Sequence, residues 1–95
     1  MSKVFGKEPS MNLYKMILEL KDLDECYRFF QDLCTVSELR AMEQRFDVAV
    51  LLQKGMIYNE ILEQTGASSA TISRVNRALN YGVEGYHQVF ARVLG

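Results

Sequence analysis

From Leu13 onward, apolar residues recur every three to four positions, and the single proline of the chain, Pro9, lies before that pattern begins. Such spacing places side chains on one face of a 3.6-residue period and so specifies helices. No run alternates apolar and polar residues between turn signals, so no strand is expected. There is no internal repeat and no low-complexity segment. The expected fold class is all-α.

Residues 1–10, with Gly6, Pro9 and Ser10, read as a flexible arm. With 95 residues in all, residues 11–95 make at most one helical domain. Leu13, Met16, Ile17 and Leu20 form the stripe of a short first helix. A second begins near Leu23, with Asp22 as N-cap, Glu25 three residues on, and a stripe of Leu23, Cys26, Tyr27, Phe30, Leu33 and Cys34. Phe29 lies off that stripe and hints at an interface. The third and longest helix opens at Thr35-Val36-Ser37-Glu38, a capping-box pattern, and closes at Gly55. Leu39, Met42, Phe46, Ala49, Val50 and Leu52 make its apolar face. A last helix follows Tyr81-Gly82, with Tyr86, Val89, Phe90, Val93 and Leu94 on one side.

The chain is 48% hydrophobic and 24% charged, an ordinary globular composition. A lone chain of this size buries only about two-thirds of its unfolded surface, so the surplus apolar area points to a homodimer. No stretch approaches the roughly 18 apolar residues of a membrane span, and MSKVFGKEPS lacks the apolar core of a signal peptide. Cys26 and Cys34 sit eight residues apart on one helix, about 12 Å along its axis, too far to bridge. Reduced thiols suit a cytoplasmic protein. His87 is the only histidine and has no acid or nucleophile nearby in sequence, so it reads as a surface or interface residue. No enzyme constellation and no metal site is expected.

A net charge of −1 argues against a polyanion as partner, but its distribution does not. Residues 19–63 carry ten acidic and five basic side chains, whereas residues 64–95 carry Arg74, Arg77 and Arg92 against Glu84 alone. From Gln64 to Val83 there is no acid. A duplex repels an acidic face, so this stretch is where contact could occur.

The same stretch reads as two short helices with a tight turn, a helix-turn-helix over about residues 57–79. Ile61 and Leu62 face inward from the first helix, although Ile57 stands where a capping side chain is expected. Gly66 supplies a positive φ, Ala67 lets the helices cross closely, and Ser68 caps the second helix. Ile72, Val75 and Leu79 share one side of that helix. Opposite them lie Ala70, Ser73, Arg74 and Arg77, flanked by Ser69 and Thr71. Small side chains admit the helix to a major groove, hydroxyls bond phosphates or base edges, and arginine forks onto guanine.

SELRAMEQRFDVAVLLQKG, EILEQTGASSATISRVNRAL and the helix order resemble the tryptophan repressor family, more closely its small YerC/YecD-type group. The likeness runs from about Leu13 to Leu94. It implies a six-helix fold in an intertwined homodimer that binds double-stranded DNA. It also implies that Ser69, Ala70, Thr71, Ser73 and Arg74 face the duplex, with Asn59 near a phosphate. The DNA-facing set is then Asn59, Ser68, Ser69, Ala70, Thr71, Ser73, Arg74 and Arg77.

The family's amino-acid corepressor pocket maps by position onto Thr35, Arg45 and Arg74. The match fails at Val75, where the pocket requires glycine, and Ala78 replaces a pocket serine. A branched side chain at Val75 would intrude on the indole, so no cofactor is expected. Thr35 and Arg45 read more simply as a helix cap and a surface ion-pair partner. The expected function is a sequence-specific DNA-binding transcriptional regulator, a repressor by resemblance. The rival is a helical dimer that binds another protein, for which the acidic N-terminal half would suit a basic partner.

Overall fold

A computed structural model describes residues 8–94. Of the expected arm, residues 1–7 lie outside the described residues, while residues 8–10 have no regular structure. Six helices follow, and no strand occurs among the described residues. They fall into two units, one ending at Thr35 and the other running from Val36.

The first unit holds α1 (Asn12–Ile17) and α2 (Leu23–Leu33). Asp22 caps α2 as expected: its side chain accepts from the Glu25 N–H at 2.8 Å, and the Glu25 carboxylate reaches back to the Lys21 N–H at 3.0 Å. Neither helix contains a buried residue. Of the expected stripes, Met16, Leu23, Tyr27 and Leu33 are exposed. Phe29 finds its partner locally, edge-on to Phe30 with ring centroids 5.6 Å apart. Cys26 and Cys34 are free thiols.

In the second unit, α3 (Val36–Gln53), α4 (Tyr58–Thr65), α5 (Ser69–Tyr81) and α6 (Gly85–Val93) share one core. Val48, Ala49, Ile61, Ala67, Ile72, Val75, Leu79 and Phe90 are all buried in it. Two details differ from the sequence expectation. Val48 is fully buried although it lies off the predicted face of α3, whereas Phe46 is 47% exposed. The run Val48 to Leu52 is apolar all round the helix, so periodicity marks no single side; α4, α5 and α6 all pack on α3. On α4, Ile61 is buried but Leu62 is 43% exposed, because so short a helix turns only one apolar position fully inward.

The helix ends follow from local chemistry. α3 closes in a Schellman motif around Gly55 (φ +87°), with Met56 N–H donating to the Leu51 carbonyl and Gly55 N–H to that of Leu52. Ile57 at the N-cap of α4 makes no side-chain cap, as expected. His87, read as a surface or interface residue, is half-buried and donates from Nε2 to the Leu79 carbonyl at 2.7 Å. It thereby satisfies an end carbonyl of α5 and ties α6 to it. No helix of the described residues is long and apolar enough to cross a membrane.

Candidate nucleic-acid interface

The turn between α4 and α5 is held by its own backbone and one threonine. Gly66 adopts φ +74°, a left-handed conformation that costs a residue with a Cβ about 1 kcal/mol or more. The Thr65 hydroxyl donates to the Ile61 carbonyl at 2.7 Å and accepts from the Ala67 N–H at 3.1 Å. Its carbonyl accepts from the Gln44 side chain of α3 at 3.2 Å. Ala67, 1% exposed, then lets α4 and α5 meet closely. Sequence reasoning missed Thr65 and Gln44. A hydroxyl residue directly before a helix-ending glycine is the available signal for the first, and none exists for a partner 21 positions away.

Ser68 caps α5 as expected, accepting from the Thr71 N–H at 3.1 Å, and its hydroxyl also bonds the Thr71 hydroxyl at 3.1 Å. Ile72, Val75 and Leu79 are buried, 0%, 2% and 5% exposed, so the opposite face of α5 must turn outward. Ser69, Ala70, Ser73, Arg74 and Arg77 are all exposed there, and Ser68 is exposed at its start. Thr71 is half-buried, its hydroxyl already bonded to Ser68. Asn59 is exposed on the first turn of α4. Neither Arg74 nor Arg77 forms an ion pair among the described residues, unlike Arg28, paired with Asp24, and Arg40, paired with Glu43. Two full positive charges thus stand on a face without acids, unscreened by the protein itself.

The other proposed set is placed differently. Val75 packs in the core. Arg45 is exposed and makes no ion pair among the described residues, which removes its reading as an ion-pair partner. Thr35 is exposed and belongs to the N-terminal unit.

An open apolar groove also runs between α3, α5 and α6, lined by Phe46, Ala78, Val83, Tyr86, Val89 and Phe90. Tyr86 and Phe90 stack at 5.6 Å and Phe46 meets Phe90 at 5.8 Å, so its floor is aromatic.

Comparison with known proteins places these features in company. The Trp repressor protein family model matches residues 10–94. The uncharacterized protein YerC of Bacillus subtilis is 53% identical over 91 residues, covering 96% of this chain and 86% of its own length. A solved TrpR-like protein from Eubacterium eligens superposes with TM-score 0.83 at 57% identity, covering 85% of this chain and 84% of that one. A second solved protein, from Staphylococcus aureus and provisionally called a Trp repressor, gives TM-score 0.81 at 45% identity, over 84% of this chain and 80% of its own.

Proposed function

Because the chain belongs to the Trp repressor protein family, we propose that it is a sequence-specific DNA-binding transcriptional regulator, a repressor, that works as a homodimer in the cytoplasm. α4, the Gly66 turn and α5 act as its helix-turn-helix. The observation that carries this reading is the outer face of α5, where Arg74 and Arg77 stand exposed and without acidic partners, directly opposite a buried seam.

The physics of contact follows from that face. A major groove about 12 Å wide admits a helix, and the small Ser69, Ala70 and Ser73 let α5 approach the base edges. Arg74 and Arg77 displace counterions from phosphates or fork onto guanine. The Ser68 and Ser69 end of α5 points its helix N-terminus at a phosphate, and Asn59 on α4 reaches the neighbouring backbone. Thr71 offers its methyl and its O–H, since its oxygen only accepts from the Ser68 hydroxyl.

Dimerisation is supported by apolar surface on both units: α1 and α2, which contain no buried residue, and the aromatic groove beside α6. Two copies would set their α5 helices about 34 Å apart and match an operator of approximate two-fold symmetry. No tryptophan corepressor is proposed, because Val75 fills position 75 with a side chain packed in the core. Thr35, Arg45 and Arg74 are then left without a shared ligand.

Selection of bound duplexes from a random pool, with and without millimolar tryptophan, tests the reading. Enriched sequences should carry inverted half-sites centred about one helical turn apart, unchanged by tryptophan. A pool that stays random, with capture of a basic protein instead, supports the protein-binding rival.

A further inference from the structure

The outward face of α5 continues past Arg77. Arg74, Arg77 and Tyr81 follow one another at spacings of three and four, so they form one row on the helix surface. Tyr81 is the last residue of α5 and is 85% exposed. Its side chain takes part in no hydrogen bond or ring contact among the described residues. The polar neighbour beside it is differently employed: the Asn80 amide donates to the Asn76 carbonyl at 3.0 Å and to its side chain at 3.1 Å. The phenol hydroxyl is therefore a free donor at the end of an arginine row.

Building on the DNA-binding reading above, we propose that Tyr81 is a DNA-contacting residue whose phenol donates to a phosphate beyond the reach of Arg77. Helix length supports this. Ala70 and Tyr81 are about 16 Å apart along the axis, longer than the roughly 12 Å width of a major groove. When the Ser69–Ser73 end occupies the groove, the other end of α5 rides over the phosphate wall. Helical side chains lean towards the N-terminus, which tilts Tyr81 back towards Arg77 and that wall. A phosphate oxygen accepts a neutral O–H without change of charge, so the contact adds affinity and register but no sequence preference.

Neutrality gives the test its signature. Fluorescence anisotropy on a selected duplex across a salt series compares wild type, Tyr81→Phe, Tyr81→Ala and Arg77→Ala. Tyr81→Phe is expected to weaken binding about tenfold while leaving the slope of log K against log salt unchanged. Arg77→Ala should instead flatten that slope by about one. Sedimentation of each variant tracks the dimer. If Tyr81→Phe and Tyr81→Ala bind as wild type while Arg77→Ala is weakened, Tyr81 makes no contact and the DNA reading survives. If Tyr81→Ala splits the dimer, the residue belongs to a protein interface and the proposal is overturned. Should wild type ignore the duplex at every salt concentration, both fall together.

Discussion

The two units of the chain use their apolar residues in opposite ways. In residues 36–94, every helix and the Gly66 turn contribute to one sealed core. In residues 8–35 no residue is buried, and Leu18 and Leu23 stand 83% and 85% exposed. The packing that fixes α4, the Gly66 turn and α5 is therefore a property of the C-terminal unit, supplied by the buried Val48, Ile61 and Ile72. The described residues of the N-terminal unit present exposed apolar side chains such as Leu18 and Leu23, the pattern of a segment that works against another molecule.

Substitutions can break this contrast or sharpen it. The largest effect is expected from Ile72→Ala, which should cost about 3–4 kcal/mol by urea denaturation, since a fully buried isoleucine leaves a cavity. Leu23→Ala should change dilute-chain stability by under about 0.5 kcal/mol and show itself as weaker self-association in sedimentation. Equal losses for the two would erase the distinction between the units.

The two glycines at the ends of α4 and α5 separate next. A Cβ at Gly82 would sit 2.4 Å from the Ala78 carbonyl oxygen, so Gly82→Ala should cost about 2–3 kcal/mol as the α5–α6 junction shifts. At Gly66 nothing lies within 4 Å, and Gly66→Ala should cost only the left-handed strain, about 1 kcal/mol. Thermal unfolding of both variants checks the order. Ser68→Ala should lose about 1 kcal/mol with its cap, and Ile57→Ser at the uncapped start of α4 should regain up to about that much. A small gain, about 0.5 kcal/mol, is expected for Glu84→Asn, because Glu84 holds φ +69° where asparagine is better tolerated.

What the sequence disclosed, and what it hid, follows the same divide. The caps at Asp22 and Ser68, the left-handed Gly66, the small Ala67 and the buried Ile72–Val75–Leu79 seam were all legible. Each depends on a few neighbouring residues and on one rule of backbone geometry. The burial of Val48 was not, because an apolar run around α3 gives periodicity nothing to choose between. Nor were the Gln44–Thr65 and His87–Leu79 bonds, which join residues that only the folded chain brings together. The exposed face of α5 was legible because an amphipathic helix declares its outside by declaring its inside. Stripes on α1, α2 and α6 were drawn correctly as apolar, yet Met16, Leu23 and Val93 face outward, since periodicity does not say which molecule covers a face.

The charge of the α5 face is the central claim, and one titration meets it directly. Affinity for a selected duplex should fall linearly in log–log form as salt rises, and Arg74→Ala with Arg77→Ala together should flatten that slope by about two while sedimentation still reports a dimer. An unaltered slope in the double variant, with affinity intact, would contradict the assignment of this face to DNA.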